Sequence, residues 1–350
     1  MEEKDLQELR SDVYNDLPLP ADLVINDFNY DVDISYRGSY TRKFRKRSYF
    51  IEFIEPELFR SEREIHLNAE YRDPSIIRNK LSLDFFHDLG VLSPSSYHVN
   101  LVRNGVRKGV YLVLESVDDL FLKNRDLPIG PIYYAVNNNA NFSFTRDSRK
   151  KRSRISGYKR KLGTEKDDDT LRKLLNVINK TSKTEFSRKI NGYIDLDKYL
   201  GWLAGAVCTM NNDGFTHNYA LYQNGETELY EIIPWDYDAT WGRRVDGGRM
   251  AYDYVPIQGK EGNYLSYRIL EDSEFKKRYK KKLEEVIETL FTVDYMKNKI
   301  EPLHQELRLH LLNDPYKYRK IDKFDKEPEY IYQFIKDRTM YIKEHFSELS

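Results

Sequence analysis

The chain has 350 residues, with 57 Lys and Arg balanced by 57 Asp and Glu; it is long enough for one large domain or two lobes around a real core, and its balanced charge gives no argument for nucleic acid. One cysteine, Cys208, excludes an intramolecular disulfide framework and any cysteine-rich zinc site. No apolar signal segment follows Met1 and no apolar run approaches a membrane span, so a soluble protein made, at least initially, in a reducing compartment is expected.

Residues 1–25 read as a helical or loosely ordered lead-in ending at Leu17-Pro18-Leu19-Pro20. A strand-rich region follows. Tyr30 to Tyr36 alternates with period two, and Ser48 to Ile54 does so less cleanly. Arg37-Gly38-Ser39-Tyr40-Thr41-Arg42 connects them, with Lys46-Arg47 at the mouth of the second strand. Asp73-Pro74-Ser75 opens a helix, Asp73 as its cap and Pro74 in its first turn. Its apolar positions, Ile76, Ile77, Leu81, Leu83, Phe85, Phe86 and Leu89, fit a buried helix that ends at Gly90. Residues 97–102 and 109–115, either side of Asn104-Gly105, read as a hairpin. Two strands, a helix and two strands make a small mixed lobe over 26–117. The 28 tyrosines suit amphipathic strands and surfaces.

From Asp118 onward helices dominate, so the fold class is α+β. Residues 169–180 and 196–209 have helical periodicity, and the second segment carries Cys208 in an apolar, core-like run. The segment from Arg146 to Lys161 is strongly basic and reads as a solvated, mobile loop. Its other readings are a docking strip for an acidic partner, or a phosphoacceptor through Ser148, Ser153 or Ser156. After an irregular, Gly-rich region from Gly242 to Gly262, three helical segments over 265–291, 294–312 and 328–347 finish the chain.

The most informative stretch lies between these parts. Asn212-Asp213-Gly214-Phe215-Thr216-His217-Asn218 sets an Asp five residues ahead of an Asn, and Trp235-Asp236-Tyr237-Asp238 follows at the end of an apolar strand. Asp-x-x-x-x-Asn followed by an Asp is how a phosphotransferase holds a hydroxyl nucleophile and Mg·ATP together. Asp-Gly and Asn-Asp are also ordinary turn dipeptides, so the spacing alone decides nothing. Asn224-Gly225 between strand-like runs signals a hairpin. A two-residue loop there would set Gln223 opposite Glu226 and, extended, Asp213 opposite Asp236. Even frayed, such a hairpin gathers Asp213, Asn218 and Asp236 at its open end. Clustered acids beside an apolar strand are costly unless they bind a cation or a partner.

Taken in order, these residues resemble the spore coat protein H (CotH) family of atypical protein kinases. The resemblance rests on Arg37-Gly38-x-x-Thr41-Arg42, Lys46-Arg47-Ser48-Tyr49, Leu67-Asn68-Ala69, Ile77-Arg78-Asn79-Lys80-Leu81, Gly109-Val-Tyr-Leu and Glu115. It ends in Asn211-Asn-Asp213-Gly-x-x-His217-Asn218-Tyr219 and Trp235-Asp236-Tyr237-Asp238, so that it spans residues 36–245 with a family-like helical tail.

The resemblance implies a reduced, atypical kinase-like fold of two lobes, after the lead-in 1–25: a strand-rich lobe at 26–117 and a larger, mostly helical one at 118–350. It implies a protein serine kinase that uses ATP with Mg2+, or Mn2+, on spore coat proteins rich in Ser, Lys and Arg. Autophosphorylation would fall within 144–161. Location in the spore coat after synthesis in the mother-cell cytoplasm is implied, with no nucleic acid or membrane partner.

Carried over by motif, Asp213 is the catalytic-loop acid, Asp236 the metal-binding Asp and Asn218 the second metal ligand. Where the family shows Lys-Lys before Ser-Tyr, this chain has Lys46-Arg47, so Lys46 is the phosphate-binding choice and Arg47 the alternative; either could be a solvated strand-end charge. Arg78 reaches phosphates or pairs with a nearby carboxylate. Trp235 stacks on adenine or sits in the core. Asp238 supports the metal site, and His217 is structural, since phosphoryl transfer needs charge neutralisation and positioning more than another proton acceptor. The chain departs from ordinary kinases in having no His-Arg before Asp213, no Gly after Asp236 and one Gly in the Arg37–Arg42 turn. Two rivals stand. Asp236-x-Asp238 also has the form that binds metal and diphosphate in nucleotide-sugar transferases, although that leaves Asp213 and Asn218 unused and no Rossmann-like start is evident. The other is an inactive coat scaffold, which need keep neither Asp213 nor Asp236.

Overall fold

Alternating apolar residues build the first part of the chain into one antiparallel sheet in the computed structural model, which describes residues 1–260 and 262–350. Helix α1 (Glu3–Ser11) leads into β1 (Leu19–Ile25), β2 (Phe28–Tyr36), β3 (Tyr49–Phe53) and β4 (Glu64–Asn68). Helix α2 (Arg78–Asp88) connects these to the hairpin of β5 (Ser96–Arg103) and β6 (Val106–Glu115). The strand order is β1-β2-β3-β4-β6-β5. One cluster fills this sheet's core, with Val32, Ile34, Ile51, Phe53, Leu67 and Val113 joined by Leu9 from α1. Burying each such side chain contributes about 1.5–3 kcal/mol.

Residues 19–25, expected as the end of a lead-in, instead form the edge strand and pair with β2 along their whole length. Pro20 looks like a break in the sequence, but an edge strand tolerates a missing N–H on its outer side. Asp73 also acts differently from a simple cap. The helix starts five residues later, at Arg78, and Asp73 reaches forward to accept the backbone N–H groups of Ser75 (2.9 Å) and Arg78 (3.0 Å).

The second part contains α3 (Asp119–Lys123), β7 (Ile132–Ala135), β8 (Thr145–Arg146), β9 (Arg149–Lys150) and β10 (Tyr158–Leu162). Then come α4 (Asp168–Lys180), α5 (Lys183–Lys189), α6 (Leu196–Thr209), β11 (Tyr219–Gln223) and β12 (Tyr230–Pro234). The chain ends with α7 (Tyr264–Leu270), α8 (Ser273–Thr289), α9 (Val293–Leu311), α10 (Ile321–Asp325) and α11 (Glu327–Glu344). The chain is therefore α+β, with a second sheet of order β10-β7-β11-β12 among the helices.

The basic segment is not one mobile loop. Its first residues form the β8–β9 hairpin, and Lys159 to Lys161 lie in the edge strand β10. Arg160 pairs with Asp168 at 2.6 Å and Lys161 with Glu64 at 2.5 Å. Charged residues are one way a sheet blunts an open edge, which is why β10 reads as loop in the sequence.

The Asn224-Gly225 hairpin forms, but its register differs. Gln223 pairs with Tyr230, four residues beyond the expected partner, and Tyr219 pairs with Pro234. The Asn224 carboxamide oxygen accepts the N–H groups of Glu226 (2.9 Å) and Thr227 (3.1 Å), so the side chain folds the loop into a longer turn. Gly225 is required for close approach instead of for positive φ, since a Cβ there would stand 2.1 Å from the Ile129 carbonyl oxygen. The shift is even, so each residue keeps its face of the sheet.

Buried ion pairs fasten the sheet-bearing part to the C-terminal helices. Arg78, fully buried, meets Asp73 at 2.6 Å and Glu327 of α11 at 2.7 Å, and donates to the Thr240 carbonyl at 3.0 Å. Arg243 closes on the other side of the Glu327 carboxylate. Lys46 stands 3.5 Å from the buried Asp314 carboxylate. Removing one partner from such a network leaves a buried charge uncompensated. Glu327→Ala is accordingly expected to destabilise the protein by roughly 3–5 kcal/mol, read by denaturant unfolding; a loss below about 1 kcal/mol, the level of an exposed pair, would contradict this role.

Candidate active site

Helix α6 delivers the site. Asp195 caps it by accepting the Lys198 N–H at 3.0 Å, and nearly every side chain along it is buried. Met210 ends the helix in the left-handed conformation (φ 56°), turning the chain into Asn211. The Asn211 carboxamide oxygen accepts the N–H groups of Asp213 (3.1 Å) and Gly214 (2.9 Å), which holds the short helical turn Asp213–Phe215. The Asp213 carbonyl in turn accepts from Thr216 and His217 at 3.1 and 3.0 Å.

Asn218 then enters β11, and the observed register sets it against Trp235, whose N–H donates to the Asn218 carbonyl at 3.0 Å. The Asn218 amide reaches the Asp236 carbonyl at 3.4 Å. Asn218 (φ 58°) and Asp236 (φ 59°) both adopt left-handed backbone at the open end of the hairpin. Non-glycine residues pay of order 1 kcal/mol or more for that conformation, and such strain concentrates where side-chain direction matters. Asp213, Asn218, Trp235, Asp236 and Asp238 thus line one cleft of about 630 Å³, with Arg37 and Tyr134.

Helix α2 supports the acidic side of this cleft. Asn79 accepts the Tyr237 N–H at 3.0 Å and donates to Glu70 at 3.2 Å, tying both to the helix. Burial, then the neighbouring Asp236 and Glu70 charges, hold the Asp238 carboxyl well above the usual range. Burial and the Asp73 charge push Glu70 up to about 8. One Glu70 carboxylate oxygen is buried without a hydrogen-bond partner among the described residues. Arg37 is a cation that faces this cluster; burial pulls it below its ordinary range while Asp236, Tyr134 and Glu70 oppose the shift. Arg37 donates to Asn68 and lies 5.6 Å from the Trp235 ring centroid.

The other cations proposed for phosphate point elsewhere. Lys46 lines a narrow inner pocket with Asp236 and Asp238, but its amine is committed to the Val110 carbonyl, near Asp314 and 4.6 Å from the Tyr111 ring centroid. Burial brings it down to about 8. Arg47 donates to the Arg42 carbonyl at 2.6 Å and lies over Tyr36, outside both hollows. Arg78 is taken out of the cleft by Asp73 and Glu327, the carboxylate pairing its sequence position left open. Trp235 forms a partly exposed wall, edge-on to His66 at 5.0 Å and tilted against Tyr134 at 5.3 Å. Burial lowers the His217 imidazole, with Asp213 and Asp236 pulling it back up.

Sequence reasoning did not single out Arg37 or Glu70, although each adjoins a quoted motif. Arg37 opens the Arg37-Gly38-x-x-Thr41-Arg42 turn, and Glu70 follows Leu67-Asn68-Ala69. Among the described residues no three His, Cys, Asp or Glu side chains form a metal cage. One or two carboxylates with an amide fit Mg2+ better than a cage would, because that ion keeps waters and takes its remaining ligands from phosphates.

The model of the CotH kinase protein family matches residues 34–342. The chain is 52% identical over 348 residues to the inner spore coat protein H of Bacillus subtilis (strain 168), covering 99% of this chain and 96% of that protein. It is 26% identical over 311 residues to the inner spore coat protein H-like protein of the same strain, covering 87% of each.

Glu70 yields a pH test. Its carboxyl keeps a proton in the folded chain up to about 8, against 4.5 ordinarily. Between those values the folded state binds the extra proton, so this group makes stability fall as pH rises. In metal-free buffer, Glu70→Gln should match wild type at about pH 5 and melt at a higher temperature at about pH 8.5. Parallel melting curves at both pH values would show that the Glu70 carboxyl titrates normally.

Proposed function

The chain belongs to the CotH kinase protein family, and from that premise we propose that it transfers the γ-phosphoryl group of ATP to serines of spore coat proteins. The names of its relatives support the coat location; synthesis in the mother-cell cytoplasm goes with it. The proposed fold is a reduced kinase-like one, in which the first sheet with α2 forms the small lobe and the helices with the second sheet form the large lobe. The substrates are coat proteins with segments rich in Ser, Lys and Arg.

The observation that carries this reading is the meeting of Asp213, Asn218 and Asp236 in one cleft beside Arg37. Mg2+ or Mn2+ held by Asp236 and Asn218 would neutralise the β- and γ-phosphates of ATP. Asp213 orients the serine hydroxyl and accepts its proton as the serine oxygen bonds to the γ-phosphorus and the bond to the ADP oxygen breaks. Arg37 supplies positive charge to the phosphates from the sheet side, the part that sequence comparison gave to Lys46 or Arg47. The exposed face of Trp235 offers a stacking surface for the base. Asp238, partly buried and with its carboxyl held above the usual range by burial and the Asp236 charge, supports the Asp236 turn.

Asp213→Asn should leave metal-dependent ATP binding intact and lower transfer to a Ser/Arg/Lys-rich peptide by roughly 100-fold or more. Asp236→Asn should abolish metal-dependent ATP binding, with Asp238→Asn milder. Labelled-phosphate transfer and calorimetry read the two effects. Full turnover in Asp213→Asn would remove it from catalysis. Equal severity at Asp236 and Asp238, with binding of a nucleotide sugar and none of ATP, would favour the Asp-x-Asp sugar transferase.

A further inference from the structure

A second hollow of about 660 Å³ adjoins the cleft, and Arg146 of β8 lines both. Lys260, on the wall of this groove, donates its amine to the Asn212 carboxamide oxygen, next to Asp213. The groove therefore leads to the catalytic turn. Its apolar floor is Leu270 and Leu349, both buried.

Two features of the wall call for an occupant. Asn263 is 1% exposed; its carboxamide oxygen accepts from Ser266 (2.9 Å) and Tyr199 (3.1 Å), but its amide nitrogen is buried with no acceptor among the described residues. An unmet donor of this kind costs about 1–3 kcal/mol and is relieved by an incoming carbonyl. Beside it Tyr264 and Tyr267 stack at 5.7 Å with their rings 12° apart, and Tyr267 is 59% exposed.

Charge selects the occupant. Arg146 and Asp147 pair with each other at 3.2 Å, and Lys260 is drawn to the Asn212 end. Glu271, whose charge raises the Tyr267 phenol, and Glu348 face the outer part, with Lys276 directed to the Ser350 carbonyl at 3.4 Å. Glu271 also pairs with Arg268 at 3.1 Å, and Glu348 accepts from Gln258 at 2.6 Å. Aromatic faces beside carboxylates attract cations.

We propose that this groove docks an extended segment of the protein substrate, with a backbone carbonyl on the Asn263 amide and a basic side chain over Tyr267 beside Glu271. The proposal rests on the phosphotransferase reading for its purpose, since the groove then positions a neighbouring serine at Asp213. Its binding step is independent of that reading.

A fluorescein-labelled peptide rich in Ser, Arg and Lys, titrated with the full chain in the absence of ATP and followed by anisotropy, tests it. Tyr267→Ala changes an exposed group and Glu271→Gln a partly buried one, both outside the catalytic cleft. Each is expected to weaken peptide binding about fivefold, with calorimetric ATP affinity unchanged. Wild-type protein that does not bind the peptide, or variants that bind it equally well, would overturn the groove. Groove-dependent binding with no phosphate transfer would uphold the groove and refute the phosphotransferase.

Discussion

Arg78 brings its guanidinium to the centre of the molecule, where Asp73 and Glu327 meet it at 2.6 and 2.7 Å and the Thr240 carbonyl at 3.0 Å. Charges this deep persist only when paired and hydrogen-bonded. Each partner comes from a different stretch of chain: the loop before α2, the start of α11, and the turn after Asp238. That one cation therefore fixes the distance between the first sheet, the C-terminal helices and the segment that carries Asp236. Ser82 extends the same hold, accepting from Trp241 at 2.9 Å and lying 3.2 Å from the Thr240 hydroxyl. Lys317 adds a parallel fastening, with its amine on the carbonyls of Glu70, Tyr71 and Asp73.

Against this paired scaffold the cleft differs in kind. Glu70, Asp236 and Asp238 sit close together, and burial first, then neighbouring carboxylates (Asp73 for Glu70, Asp236 for Asp238), raises the Glu70 and Asp238 carboxyls. Arg37 answers part of that charge. Asp73 and Glu327 are each met by an arginine, whereas one Glu70 carboxylate oxygen has no hydrogen-bond partner among the described residues. Left-handed backbone at Asn218 and Asp236 adds a second, local cost at the same place.

Periodicity made the regular elements legible: the expected bounds 196–209 are those of α6, and the Asn104-Gly105 turn closes β5 and β6. The approach of Asn218 to Asp236 was legible too, because any hairpin between β11 and β12 brings their outer ends together. The register was not, since it depends on the Asn224 side chain folding back on Glu226 and Thr227. Strands β1 and β10 were hidden by Pro20 and by Lys159-Arg160-Lys161, residues suited to edges and absent from simple alternation. Lys46 looked like an open charge at a strand mouth. Its burial is decided by Asp314 and the Val110 carbonyl, which lie far away in sequence, and no local pattern reports such a partner. Arg37 was hidden for the converse reason, in a turn whose own residues suggest only a connection.

Anomalous diffraction from crystals grown with Mn2+ and a non-hydrolysable ATP analogue tests most directly whether this cleft is a nucleotide site. The expected map has manganese between the Asp236 carboxylate and the Asn218 amide, Arg37 turned from Asn68 onto phosphate, and Lys46 still beside Asp314. A triphosphate bound outside the cleft, or held by Lys46 with Arg37 unmoved, would contradict it.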